Sequence, residues 1–122
     1  MADERRLLGI FAHPDDEMSM GGCLMQYAAR GARVYVACAT RGDGVDAQIK
    51  NAAATRATLG QVRAQELACA CEAMGIEPPQ FLGFQDGEVD QVPLEVAARQ
   101  VARLIRELQP HVVVTHGPEG GY

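Results

Sequence analysis

Apolar runs and amphipathic stretches alternate along this 122-residue chain. Residues 7–12, Leu-Leu-Gly-Ile-Phe-Ala, form an unbroken apolar run that predicts a strand buried on both faces. Residues 33–39, Arg-Val-Tyr-Val-Ala-Cys-Ala, predict a second strand, Phe81 to Phe84 a short third and His111 to Thr115 a fourth. From Glu17 to Arg30, Met20, Leu24, Met25 and Ala28 recur at helical spacing, and Gly31 supplies a stop. Val62, Leu67, Ala70 and Met74 predict a helix over Leu59 to Met74, stopped by Gly75 and followed by Pro78 and Pro79. Val96, Val101, Leu104, Ile105 and Leu108 form the inward stripe of a helix over Pro93 to Leu108, ended by Pro110. Strands alternating with helices imply parallel pairing through right-handed crossovers. The predicted fold class is therefore α/β: a Rossmann-like open parallel sheet with helices on both faces, in a single domain over residues 1–122.

Two stretches break the pattern. Gly21 and Gly22 lower helix propensity inside the first helix, which implies close packing on the sheet or room for a ligand, the packing reading being preferred. Residues 45–58 are polar and Ala-rich without a period, compatible with a lid, a short helix or a loop.

In a parallel sheet, ligands bind beyond the carboxyl ends of the strands. The first such end carries Phe11-Ala12-His13-Pro14-Asp15-Asp16-Glu17, one imidazole and three carboxylates where a strand turns into a helix. Pro14 biases His13 towards extended backbone and suits a first helical turn. His13 and Asp16, three residues apart across the bend, can converge on one point, and imidazole with carboxylate suits Zn²⁺. Asp15 lies between them, free to handle a proton. The same residues also fit a plainer reading, in which Asp15 or Asp16 caps the helix and Glu17 complements its dipole. The loops holding Arg41, Asp43 and Asp86 and the His116 to Tyr122 segment fall on the same rim. His111 starts its strand at the opposite edge and reads as structural, whereas His116 can line the pocket or bind metal.

Composition narrows the function. A formal net charge of -5 without a basic tract argues against a nucleic-acid or anionic-membrane surface. The charged start Met1-Ala2-Asp3-Glu4-Arg5-Arg6 is neither a signal peptide nor a membrane span. Cys23, Cys38, Cys69 and Cys71 read as reduced, mostly buried thiols of a cytoplasmic protein. A dinucleotide site is disfavoured as well, because the first turn offers carboxylates where a pyrophosphate needs glycine amides. A metal at His13 and Asp16 with an open position would lower the pKa of bound water from 15.7 to about 7. Asp15 would then act as general base in hydrolysing an amide.

Ala12-His13-Pro14-Asp15-Asp16-Glu17 resembles the signature of the PIG-L/LmbE-like zinc-dependent N-deacetylases. Thr40-Arg41-Gly42-Asp43-Gly44, Arg63-Ala64-Gln65-Glu66, Phe81 to Asp86 and Pro110 to Tyr122 follow in that family's order. The resemblance implies an LmbE-like fold and removal of an acetyl group from an N-acetylglucosamine-containing small molecule. Related thiol-sugar amidases, or an inactive sugar-binding module, are the alternatives. It further implies His13 and Asp16 as zinc ligands, Asp15 as base, Tyr122 as oxyanion stabiliser, and Arg63 and Asp86 near the sugar. For Arg63 the competing reading is a surface residue paired with Glu66. In the family, Gly-Gly-Tyr is followed by a motif whose last histidine completes the zinc site. Here the sequence stops at Tyr122, so the expectation is a domain incomplete at its C-terminus, after the fourth strand, with that strand as an exposed apolar edge. The aglycone and the oligomeric state stay open, a homo-oligomer included.

Overall fold

The runs of β-branched and aliphatic residues pair side by side. In the computed structural model, which describes residues 4–120, β1 (Arg6–Phe11), β2 (Arg33–Cys38), β3 (Gln80–Phe81) and β4 (Val112–Thr115) form one parallel sheet in the order β3-β2-β1-β4. β1 is central, with Leu8 opposite Tyr35 on one side and Val113 on the other. The connections are α1 (Gly21–Ala29), α2 (Leu59–Met74) and α3 (Leu94–Leu108).

Alternation along β1 and β2 assigns their side chains to two cores. Leu7, Phe11, Val34, Val36 and Cys38 pack with Leu24 of α1 and with Leu67 and Cys71 of α2. Leu8 and Ala37 face the other way, onto Leu104, Ile105 and Leu108 of α3. Helices thus cover both faces, as the alternation predicts. Burying one such leucine contributes roughly 1.5–3 kcal/mol, so Leu8 and Leu24, both 0% exposed, anchor the two layers. α2 stops at Gly75 (φ 75°), where the Ile76 amide turns back to the Cys71 carbonyl and Ile76 is buried in the first core. His111 bridges β4 to β1: its amide donates to the Arg6 carbonyl (2.8 Å), and its Nδ1 accepts the Arg6 amide (3.1 Å). That agrees with its structural reading.

Several expectations are corrected. The helix expected from Glu17 to Arg30 is two pieces, a 3₁₀ segment over Asp16–Met20 and then α1. A Cβ on Gly21 or Gly22 would meet nothing within 4 Å. Close packing therefore does not explain these glycines; they sit where the 3₁₀ segment passes into α1. β3 is shorter than Phe81 to Phe84, because Gly83 turns to φ 86°. Leu82 and Phe84 still donate to Cys38 and Ala39 carbonyls, at 2.9 and 3.0 Å. Residues 45–58 form turns without helix or strand, held by buried Ala54 and by the Arg56 guanidinium on the Gly44 carbonyl (3.0 Å). Met25 and Val96, both 47% exposed, leave the stripes expected of them. The edge strand β4 does expose Val112 and Val113. Among the described residues no helix is long and apolar enough to cross a membrane.

All four cysteines are free, but only Cys38 and Cys71 are buried; Cys23 and Cys69 are exposed. Burial pushes the Cys38 thiol up to about 12 and the Cys71 thiol up to about 11. A thiol whose pKa is raised by folding binds its proton more tightly when folded. Its contribution is therefore complete below the unfolded value near 9 and is lost as pH climbs towards the folded one. Thiol-reactive dye at pH 8 is expected to label Cys23 and Cys69 rapidly. Cys38 and Cys71 should react only on unfolding, and urea midpoints should fall between pH 9 and 11, less steeply in Cys38→Ala. Fast labelling of four thiols in the folded protein would contradict this packing.

Candidate metal and catalytic site at the strand ends

The site is built where β1 runs into the 3₁₀ segment. Pro14 is buried and no backbone amide is available there, so the chain leaves the sheet in a tight bend. The Asp16 amide donates back to the His13 carbonyl (3.2 Å), and Asp16 Oδ2 accepts the His13 amide (3.0 Å). That exchange returns the Asp16 carboxylate to the start of the motif, where Oδ2 lies 3.5 Å from His13 Nδ1. The sequence-predicted pair thus converges.

The other ring nitrogen is also engaged. His13 Nε2 lies 2.9 Å from Asp86 Oδ1, and the second oxygen of Asp86 accepts the Gly44 amide at 2.7 Å. Since a carboxylate only accepts, the 2.9 Å contact places a proton on Nε2, which in a neutral ring leaves the Nδ1 lone pair towards Asp16. A metal-binding histidine commonly donates its other N–H to a carboxylate in this way. Asp86, expected near the sugar, is thus placed behind His13 and fixes both its ring and the loop after β2.

Asp15 departs from ordinary backbone. Its φ of 87° lies in the left-handed region, and its side chain is 72% exposed beside adjacent, largely covered Asp16. Arg63, one turn into α2, spans the motif and the neighbouring loop. Its Nη1 donates to the Gly42 carbonyl (2.6 Å), and its Nη2 to the Pro14 carbonyl (2.7 Å) and Asp15 Oδ2 (3.3 Å). This replaces the alternative in which Arg63 pairs with Glu66; Glu66 instead accepts from Asn51 (3.3 Å). Gly42, at φ 67°, is the point where the guanidinium comes closest to the backbone, and any Cβ there would collide with it. Thr40, 1% exposed, ties the two loops together: its hydroxyl donates to the Ala12 carbonyl and accepts the Gly42 amide, both at 3.1 Å.

The remaining rim residues are less engaged. Arg41 stacks over Phe81, 5.1 Å from the ring centre. The Asp43 carboxylate lies over Gly60 in the first turn of α2, where the helix dipole favours negative charge. His116 packs edge-on against Phe11 (5.4 Å between centroids), with Nε2 3.1 Å from the Ser19 hydroxyl. It is near the motif but forms no hydrogen bond or ion pair with His13 or Asp16. Tyr122 lies outside the described residues.

Glu17 is the residue that sequence reasoning undervalued. Read as a dipole complement, it is 3% exposed, and its Oε1 accepts the Asp15 amide at 2.8 Å. Burial is the first cause raising its pKa, opposed by hydrogen bonds from its own amide and that of Asp15. A third consecutive acid after a proline gives no signal of which carboxylate turns inward.

A divalent metal is tested by the donors present. Nδ1 of His13 and Oδ2 of Asp16 face each other with the ring oriented from behind, which fits two ligands of a zinc site. Among the described residues no group of three or more His, Cys, Asp or Glu is arranged to hold a metal ion.

Known proteins match this chain in sequence and in fold. Residues 8–121 match the family model PIG-L, GlcNAc-PI de-N-acetylase. The chain is 37% identical over 119 residues to a probable N-acetyl-alpha-D-glucosaminyl L-malate deacetylase 2 of Bacillus cereus, covering 97% of this chain and 54% of that protein. It is 34% identical over 141 residues to a 1D-myo-inositol 2-acetamido-2-deoxy-alpha-D-glucopyranoside deacetylase of Thermobifida fusca, covering 98% and 49%. The N,N'-diacetylchitobiose deacetylase of Pyrococcus horikoshii shares the fold, with a TM-score of 0.78 and 23% identity over 92% of this chain and 40% of that one. The chain therefore spans about half the length of the curated relatives it matches. With the motif, the parallel sheet and a family match running from β1 to residue 121, this chain belongs to the PIG-L family of GlcNAc-PI de-N-acetylases.

Proposed function

We propose that this chain carries part of the active site of a zinc-dependent hydrolase that removes the acetyl group from an N-acetylglucosamine-containing small molecule. The observation that carries the reading is the His13 ring, held by Asp86 so that Nδ1 faces Asp16, with the exposed Asp15 carboxylate beside it against Arg63. The names of the relatives support the acetamido sugar as substrate class.

In this reading His13 and Asp16 hold the zinc. When bound, it supplies Lewis-acid polarisation of the amide carbonyl and acidifies water. Asp15 takes a proton from the attacking water and returns it to the departing amine nitrogen, as a general base that becomes a general acid. Arg63 keeps the Asp15 carboxylate aimed, because it is itself fixed by the Gly42 and Pro14 carbonyls. Asp86 holds the His13 tautomer, a positioning role beside the sugar contact that the resemblance implies. Tyr122 is proposed to stabilise the oxyanion, and Arg63 Nη groups to reach a sugar hydroxyl. The protein acts on small molecules, in the cytoplasm, without nucleic-acid or membrane partners.

The test is incubation of the protein with zinc and an N-acetylglucosaminyl compound, with free amine and acetate measured together. Equimolar amine and acetate are expected. Sugar binding without release of either would instead support a non-catalytic sugar-binding module.

A further inference from the structure

The left-handed turn at Asp15 needs an explanation, since a non-glycine residue there sacrifices on the order of 1–2 kcal/mol relative to ordinary backbone. Aspartate tolerates this region better than most residues, yet at φ 87° and ψ -14° something must hold it. Three contacts converge on the turn. The Met18 amide donates to the Asp15 carbonyl (3.1 Å), a bond any 3₁₀ turn would make. Arg63 grips the preceding carbonyl and the Asp15 carboxylate from outside. From inside, Glu17 Oε1 accepts the Asp15 amide at 2.8 Å.

The inner contact is unusual in its cost. Glu17 is 3% exposed, close enough to Cys38 and Cys71 for its charge to disfavour theirs. A carboxyl in such a place is unfavourable unless its oxygens are used. Here Oε1 takes the Asp15 backbone amide, at the point where the strand leaves the sheet. The direction of the Asp15 side chain follows from that grip. With the amide drawn inward, its carboxylate is left 72% exposed towards Arg63, while Asp16, the next residue, is drawn back onto His13.

We propose that Glu17 is a positioning residue for Asp15: its buried carboxyl grips the Asp15 amide and so maintains the left-handed turn that separates the two neighbouring carboxylates, one turned to His13 and one presented to solvent. Glu17 touches no reacting atom. The catalytic consequence rests on the reading of Asp15 as the base; the conformational one does not.

The test separates these two. Glu17→Met keeps the volume of the side chain in the core and removes the acceptor; Glu17→Gln keeps an acceptor oxygen. Amide hydrogen exchange at Asp15, followed by NMR in the zinc-free protein, should accelerate roughly tenfold or more in Glu17→Met. It should stay near the unsubstituted rate in Glu17→Gln. In an Asp15→Gly background, where the left-handed turn is free of strain, Glu17→Met should leave the positions of the His13 and Asp16 resonances almost unchanged. With Asp15 in place, the same change should shift them. Unaltered Asp15 exchange in Glu17→Met would overturn the proposal, as would equal resonance shifts in the two backgrounds. In the zinc-loaded protein Glu17→Met should lower kcat with KM little changed, and Glu17→Gln should restore it. Absence of turnover in the unsubstituted protein would count against the deacetylase reading alone, since the exchange rates decide the role of Glu17 without it.

Discussion

Asp15→Asn is expected to lower kcat for N-acetyl hydrolysis by roughly 10²- to 10⁴-fold, the range typical for loss of a general base, with KM changed much less. Asparagine is the informative substitution, because it tolerates the left-handed turn at φ 87° and leaves the backbone bond to Glu17 available. Only proton-accepting ability is lost. The fold should hardly notice: the Asp15–Arg63 contact is 3.3 Å long on an exposed side chain, and such pairs contribute at most about 1 kcal/mol. Arg63 meanwhile stays anchored to the Gly42 and Pro14 carbonyls. Release of free amine gives kcat, and thermal unfolding gives the control. A variant that keeps more than about a tenth of the activity would remove Asp15 from the role of base.

The second large effect is expected at Asp86, and there the two obvious substitutions should differ in mechanism. Asp86→Ala removes the partner of His13 Nε2 and of the Gly44 amide, and outer-sphere losses of this kind typically weaken metal binding by about 10- to 100-fold. Asp86→Asn looks milder but should be at least as damaging. Its carbonyl oxygen is needed by the Gly44 amide, which points its NH₂ at His13 Nε2. The ring must then accept there and carry its proton on Nδ1, on the side facing Asp16. That proton would sit on the nitrogen proposed to bind the metal. Zinc competition against a chromophoric chelator, with NMR of the His13 tautomer, measures both. If Asp86→Asn binds zinc as the unsubstituted protein does, Asp86 is not what orients the histidine.

How far the sequence could be read depended on whether a position is dictated by local pattern or by distant contact. The strands and helices were legible because Leu7 to Ala12 and the stripe around Leu104 carry their own periodicity. The pairing of His13 with Asp16 was legible for the same reason: three residues across a proline bend leave few places to go. Arg63 and Asp86 were located by resemblance, but their contacts were not foreseeable. Arg63 reaches 49 residues back in the sequence to Pro14, and His13 finds Asp86 73 residues away, partners set by the order of the strands. Glu17 shows the limit in another way. A helix-start carboxylate is normally solvated, and only the three-dimensional turn reveals that this one points into the core. Gly21 and Gly22 mislead in the opposite sense, since a glycine pair in a helical pattern suggests close approach and here borders open space. Cys23 and Cys69, apolar by composition, lie on outward faces of their helices for want of a stronger pattern to place them.

The proposed metal site joins His13 and Asp16 at the end of β1. Calorimetric titration of the chain with zinc, beside His13→Ala and Asp16→Ala, decides whether they hold the ion together. The expected result is one zinc per chain, with binding abolished in His13→Ala and weakened at least about tenfold in Asp16→Ala, while both variants retain the parallel-sheet fold by circular dichroism. No zinc uptake by the unsubstituted chain, or uptake that is identical in His13→Ala, would contradict it.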